Sequence, residues 1–513
     1  MRRRIAALTL AALTLLTACT SGQDDPDDDP TAYTPGTLRV LASSELSDMS
    51  PVLDQVREQT GITVRPTYMG TIDAVDLLAE GKADQAYDAV WLASNDYLRL
   101  RPEARNKVVS ETPIMSSPVA IGVKPTTVQA LGWTPEDVTW SQVEKAVRDG
   151  ELTYGMTDPA RSNSGFSTLV SVASALSGAQ SALTDTDVRK ATPRLREFFQ
   201  GQKLTSGSSG WLASAYTRRG NVDALLNYES VLKGIPDLTV IRPKDGVVTA
   251  DYPLSSLASA SATAREDVRR LAEALRTPEI QRAITDRTHR RPVVASVTPA
   301  PGLETTRRRE LPFPGSRSVA DGLLDSYENE LRRPSRTVYV LDTSGSMEGE
   351  RLAGLKSALT GLTGDFRDRE EVTLMPFGSD VKSVRTHVVD PANPKTGLDA
   401  IRRDTRALKA EGDTAIYTSL EKAYEHLGTD EDMFTSIVLM TDGENTVGAS
   451  AQDFEAFHGS LTGEQRNIPV FPILFGDSDR SELEHIAELT GGRLFDAQQG
   501  SLDGAFEEIR GYQ

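Results

Sequence analysis

From Thr37 onward, short apolar runs alternate with segments whose apolar residues recur every three or four positions. Leu38 to Ala42, Ile62 to Tyr68 and Tyr87 to Leu92 read as strands, and the segments near Asp48 to Thr60 and Ile72 to Glu80 read as helices. Such alternation predicts an α/β domain with a largely parallel sheet. Ser116 to Pro125 reads as a chain leaving one lobe for a second, and Leu225 to Ser230 as its return, so residues 37–300 are expected to form a two-lobed unit closed by helices at Ala264 to Arg276 and Pro278 to Arg287. The prolines and glycines of Pro299 to Gly315 mark a linker. Val319, Leu323, Leu324, Tyr327 and Leu331 then recur at helical spacing, predicting a helix that lays one apolar face on the last domain and completes a connection over residues 301–335. From Arg336 to the C-terminus the alternation resumes, with strands at Thr337 to Leu341, Val372 to Phe377, Ser436 to Thr441 and Val470 to Phe475.

Where these later runs stop, the chemistry changes. Val338 to Leu341 is a continuous apolar run, the mark of a central parallel strand covered on both faces, and it ends at Asp342 in D-T-S-G-S-M. Ligands of open parallel sheets collect at such strand ends. Asp342, Ser344 and Ser346, followed by Thr414 in G-D-T-A-I-Y and Asp442 in S-I-V-L-M-T-D-G, resemble the three loops of the metal-ion-dependent adhesion site of von Willebrand factor A domains, in the family's order. The resemblance implies a doubly wound parallel sheet over residues 336–513. It also implies that Ser344, Ser346 and Thr414 reach a metal directly, while Asp342 and Asp442 act mostly through water and hydrogen bonds. All five groups offer oxygen, which selects a hard cation: Mg2+, with Mn2+ or Ca2+ as substitutes. Asp342 and Asp442 share one strand edge, where two carboxylates repel each other without a cation. The family implies that a protein partner's Asp or Glu carboxylate completes the metal's shell.

The two-lobed unit, residues 37–300, resembles the type II solute-binding proteins of ABC importers. Within it, S-S-E-L (Ser43 to Leu46) follows the first strand, and T-D-P-A-R-S-N-S-G-F (Thr157 to Phe166) precedes an apolar helix. Both put hydroxyls and free backbone N–H groups at a helix start, a common way to hold an oxyanion between closing lobes. Ser43, Ser44, Arg161, Ser162, Asn163 and Ser164 are the candidate contacts for a small anion or metabolite. Ser and Asn before a helix are also ordinary N-caps.

Ahead of these domains stand Arg2 to Arg4, an apolar run from Ile5 to Leu16, and Leu-Thr-Ala-Cys ending at Cys19, the single cysteine. The layout is that of a secretory signal over residues 1–18, and its end resembles the bacterial lipobox, which implies lipidation of Cys19 and membrane anchoring on the extracytoplasmic face. Residues 19–36, rich in aspartate, read as an acidic tether. A net charge of −18 over 513 residues argues against nucleic acid as a partner.

Catalytic motifs are fragmentary. Ser230 to Lys233 fits S-x-x-K and Lys395 to Gly397 fits K-T-G, but they fall in different domains with no S-x-N between them. The five histidines have no zinc-site spacing. No enzyme is expected. The preferred reading is an envelope lipoprotein that recognises a protein partner. The alternative is an importer's solute receptor with an accessory A domain.

Overall fold

The computed structural model describes residues 36–512 apart from 221, 364–365, 367–368, 428–432, 477, 499–501, 503–504 and 506–508. The predicted signal, Cys19 and nearly all of the tether lie outside the described residues. No helix among the described residues is long and apolar enough to cross a membrane.

Three sheets organise the chain. The first lobe has five strands in the order Thr63–Met69, Thr37–Ser43, Ala89–Trp91, Pro253–Leu257, Val108–Pro113. The first three run parallel, but Pro253–Leu257 runs antiparallel to both its neighbours. The sheet is therefore mixed rather than largely parallel. A strand that returns from the second lobe enters the first from the opposite end, and the sequence pattern carries no sign of that direction. The second lobe is mixed as well: Met115–Val123 leads out of the first lobe and pairs antiparallel with Ala224–Tyr228. The expected return at Leu225 to Ser230 is corrected: the chain stays in the second lobe through Thr239–Ile241 and Thr249–Ala250, both paired with Met115–Val123, and re-enters the first lobe only at Pro253–Leu257.

The connection between domains departs from expectation. Leu183 N–H donates to the Phe313 carbonyl and Leu311 N–H to the Val247 carbonyl, while Phe313 packs edge-on against Phe166 at 5.5 Å. The proline-rich stretch is thus a strap along the second lobe. The helix that follows, Arg317–Ser326 with a further turn to Leu331, buries Ala320, Leu323, Leu324 and Tyr327 in the core of the two-lobed unit, not on the last domain. Tyr327 stacks edge-on with Phe199 at 5.1 Å and its hydroxyl lies 3.1 Å from Gln202 Oε1. Periodicity identified the apolar face correctly; the buried aromatic partner that decides where it docks is more than 120 residues away in the chain.

The last domain has a six-stranded sheet in the order Arg385–Val388, Glu371–Phe377, Ser335–Asp342, Phe434–Thr441, Val470–Leu474, Phe495–Asp496. All pairings are parallel except that of the edge strand Arg385–Val388. Tyr339 and Leu341 enter one core and Val338 and Val340 the other, as alternate residues of a strand buried on both faces must. The chain order reverses between Ser335–Asp342 and Phe434–Thr441, so the crevice at their carboxyl ends is the place where a ligand is expected.

Candidate cation site and interlobe cleft

Both central strands of the last domain stop at that crevice. Val340 pairs with Leu439 and Leu341 with Met440, so the same register brings Asp342 and Asp442 to one edge. The loop carrying Thr414 reaches them through backbone bonds: Gly345 N–H donates to the Gly412 carbonyl at 2.8 Å, and Glu411 N–H to the Thr343 carbonyl at 2.8 Å. Gly412 sits at φ +87°, a conformation that favours glycine and turns the loop toward the strand ends. Thr414 is held in turn by the Thr446 hydroxyl, which accepts from its N–H at 3.0 Å.

The side chains then form one network. Ser344 N–H donates to Asp342 Oδ1 at 2.8 Å, and the Thr441 hydroxyl donates to Asp342 Oδ2 at 2.7 Å. Ser344 and Ser346 hydroxyls lie 3.0 Å apart, and Ser346 donates to Asp442 Oδ1 at 2.8 Å. Asp342, Ser344, Thr414 and Asp442 are buried; Ser346 faces the opening. Burial pushes the Asp342 carboxyl above its ordinary range, against the hydrogen bonds from Thr441 and Ser344 that favour the charged form.

An octahedral shell at the Mg–O distance of about 2.1 Å spaces neighbouring oxygens about 3.0 Å apart. The Ser344–Ser346 separation, a hydroxyl hydrogen bond, is compatible with that edge, and the all-oxygen donor chemistry fits a small hard cation. Among the described residues no group of three or more His, Cys, Asp or Glu could hold a metal, so a cation here depends on the hydroxyls. The expectation of two uncompensated carboxylates is corrected in one respect: Arg351 Nη1 lies 2.6 Å from Asp442 Oδ2. That guanidinium, nine residues after Asp342, was missed in the sequence, as was Thr441, although both flank the motif.

In the two-lobed unit, Ile72 N–H donates to the Arg161 carbonyl at 3.2 Å, joining the lobes directly, and Arg161 Nη1 reaches Asp73 at 3.4 Å. The six candidate ligand residues separate into two sets. Ser44 and Arg161 line a cavity of about 470 Å³ together with Tyr68, Asp73 and Ser208, and with Arg493 and Tyr512 from the last domain. The other four are tied up inside. Ser43 Oγ lies 2.8 Å from Thr71 Oγ1 and accepts from Ala93 N–H at 2.9 Å. Ser162 and Ser164 belong to a hydroxyl chain that continues to Thr157 and Ser209, and Asn163 donates to the Tyr228 hydroxyl at 2.8 Å. Neither Ser43 nor Ser162 caps its helix with its side chain, so the N-cap alternative does not describe them.

Sequence reasoning also missed the polar cluster beneath. Glu45 and Asn95 are buried, and Glu45 Oε1 and Asn95 Oδ1 accept no hydrogen bond among the described residues. Burial raises the Glu45 carboxyl's affinity for its proton, with the Arg290 charge opposing. Arg290, fully buried, forks onto Asp48 and lies over the Tyr252 ring at 4.9 Å. The only sequence signal was an acid inside S-S-E-L.

Mixed lobes joined by two crossings, then a doubly wound sheet with an oxygen-lined switch point, define a two-module binding architecture. Residues 38–287 match the family of bacterial extracellular solute-binding proteins, and residues 337–444 match the von Willebrand factor type A domain. The chain thus carries a bacterial solute-binding domain followed by a von Willebrand factor type A domain. An uncharacterized protein of Synechocystis sp. is 31% identical over 169 residues, which is 33% of this chain and 38% of that protein. The inter-alpha-trypsin inhibitor heavy chain H1 of Bos taurus is 29% identical over 198 residues, 36% of this chain and 21% of that one. The matched segments are therefore well under half of those relatives. Among solved structures, the periplasmic binding protein AfuA of Actinobacillus pleuropneumoniae, with fructose-6-phosphate bound, covers 57% of this chain and 98% of its own at 11% identity and TM-score 0.47. The sulfate-binding protein SubI of Mycobacterium tuberculosis covers 51% and 88% at 17% identity and TM-score 0.40.

Proposed function

We propose that this protein is a non-enzymatic binding protein of the bacterial envelope, anchored through Cys19, whose A domain captures a protein partner through a divalent cation. Asp342, Ser344, Ser346, Thr414 and Asp442 hold Mg2+ or Mn2+, directly or through water. The bound cation supplies positive charge and an open coordination position for an Asp or Glu carboxylate. The chain's own part is orientation: Thr441 and Ser344 fix Asp342, and the Gly345–Gly412 backbone bond ties the loop that carries Thr414 to the loop of the serines. The observation that carries this reading is the convergence of Asp342, Ser344, Ser346 and Asp442 in one hydrogen-bonded network at the sheet's switch point. Calorimetric titration of the full soluble chain with Mn2+, followed by capture from envelope extract with and without EDTA, tests it. No Mn2+ binding up to millimolar concentration, or equal capture in EDTA, overturns it.

The two-lobed domain takes a small anion or polar metabolite in its cleft, with Ser44 and Arg161 at the rim. A second reading, an importer's solute receptor with an accessory A domain, is favoured by the direct Ile72–Arg161 bond between the lobes, the contact expected of a unit that closes on a ligand. Thermal shift against phosphate, sulfate, molybdate and sugar phosphates separates the two. Strong stabilisation by one compound together with EDTA-insensitive partner capture favours the receptor.

A further inference from the structure

We propose that Arg351 is the built-in counter-ion of the A domain's cation site, holding the second oxygen of Asp442 and thereby weakening and tuning divalent-cation binding; the proposal rests on the cation reading given above.

The Asp442 side chain is fully buried, and its two oxygens have different partners. Oδ1 accepts from the Ser346 hydroxyl, on the side of the metal-ligand candidates. Oδ2 accepts from Arg351 Nη1 at 2.6 Å, at the start of the helix Glu350–Leu362. Asp342 differs: among the described contacts its oxygens receive the Ser344 N–H and the Thr441 hydroxyl, which are dipoles rather than charges. One of the site's two acids is therefore in a direct ion pair, whereas Lys382, the cation near Asp342, bonds the Thr343 carbonyl instead.

Two consequences follow from charge. A desolvated carboxylate without a counter-charge is unfavourable, so Arg351 stabilises the metal-free site and keeps Asp442 in place for Ser346. A divalent cation drawing on the same carboxylate must share it with a guanidinium and is repelled by that guanidinium's charge. The Arg351 side chain is 35% exposed, so solvent screens this repulsion in part without removing it. The site is thereby set to fill only at higher cation concentration than its five oxygen donors alone would require. Gly476 packs against the base of Asp442, where an added Cβ would come within 2.8 Å of the Asp442 Cβ.

The test compares native protein, Ser344→Ala, Arg351→Gln and Arg351→Lys, all as the full soluble chain, by Mn2+ titration and by melting in EDTA. Arg351→Gln should bind Mn2+ at least about threefold more tightly than native, as removing one nearby like charge requires. It should also melt at lower temperature in EDTA and regain most of the loss with Mn2+. Arg351→Lys, which keeps the charge, should bind more weakly than Arg351→Gln. Equal or weaker Mn2+ binding by folded Arg351→Gln overturns the proposal, as does Lys binding more tightly than Gln. If Arg351→Gln does not fold, Arg351→Met, which keeps the aliphatic stem, is held to the same expectation. Should native protein bind no Mn2+, or bind it no better than Ser344→Ala, the cation reading itself has failed. Binding by native protein with no gain in Arg351→Gln rejects only the role of Arg351.

Discussion

Ile72 of the first lobe donates its backbone N–H to the carbonyl of Arg161 in the second, and Gly70, two residues earlier, leaves no room for a side chain at that crossing. A Cβ on Gly70 would stand 2.2 Å from the Arg161 oxygen. Gly70 has φ −65°, so alanine meets no backbone strain there, and the obstacle is the opposing main chain alone. Gly70→Ala should therefore hold the lobes apart without unfolding either. The Ile72 amide should exchange with deuterium faster than in the native chain, and the radius of gyration should rise in small-angle scattering. Unchanged protection of Ile72 would show that the lobes do not meet there in solution.

The sequence disclosed some of this and concealed the rest for identifiable reasons. Val338 to Leu341 followed by Asp342 was readable because a strand buried on both faces must be apolar until it reaches the ligand edge. Asp442 was readable by the same logic. Arg351 was not, because its partner lies 91 residues away and a lone arginine at a helix start looks like a solvated residue. The apolar face from Val319 to Leu331 was visible in its spacing, yet spacing carries no information on whether Phe199 or the last domain would cover it. Proline and glycine marked Pro299 to Gly315 as non-helical, and nothing in that composition signals backbone pairing with Leu183 and Val247. Among the six cleft candidates, hydroxyl-rich loops were recognisable. Which hydroxyls face the cavity was decided by distant partners such as Ser209 and Tyr228.

Asp251 lies in the connection between Thr249–Ala250 of the second lobe and Pro253–Leu257 of the first, and burial, reinforced by the negative charge of Asp96, pushes its carboxyl up to about 6. Well below the ordinary aspartate value of 3.8 the group is protonated in both folded and unfolded chains. Between that value and about pH 6 the folded chain retains a proton the unfolded chain has released, so this group's contribution to stability falls as pH rises through that window. Asp251→Asn should then raise the melting temperature at pH 7 by about 2 °C or more, the scale of a ~1 kcal/mol change in a domain of this size. At about pH 3, well below the unfolded value, the two proteins should melt together. A pH-independent difference would refute the titration of Asp251 as its cause.

Trp211 of the second lobe packs against the core of the A domain. Its ring lies 6.2 Å from that of Tyr512 and 4.3 Å from the Arg218 guanidinium, and Arg493 stands over it at 6.0 Å. Arg493 and Tyr512 also line the cavity at the mouth of the cleft. Trp211→Ala removes the aromatic pair with Tyr512 and the cation–π contact with Arg493, together worth about 1–3 kcal/mol between domains, along with the Arg218 contact inside the second lobe. The expected result is two separated melting transitions in calorimetry and faster deuterium exchange around Gly207, Ser208 and Tyr512. A single native-like transition with unchanged exchange would mean that the domains are coupled elsewhere.

Thr441 provides a test of the cation site that touches no direct ligand. Its hydroxyl donates to Asp342 Oδ2 at 2.7 Å, on the face of the carboxylate away from the Ser344 N–H. Thr441→Val keeps the shape of the side chain and its β-branched fit to the strand Phe434–Thr441, and removes that donor together with the longer 3.3 Å contact to Gly443 N–H. Buried Asp342 then loses a hydrogen bond, which costs about 1–3 kcal/mol when the remaining group stays unsatisfied. Its carboxylate is also freed to turn, so the Ser344 and Ser346 hydroxyls lose the anchor that orients them. Loss of such an orienting partner typically weakens metal binding by about 10–100-fold. Mn2+ titration of the folded variant should fall in that range, while Ser344→Ala, which removes a direct oxygen, should fall at least as far. If Thr441→Val binds Mn2+ as tightly as the native chain, Asp342 is not held by Thr441 in the cation-loaded state, and the orienting role assigned to this strand end is wrong.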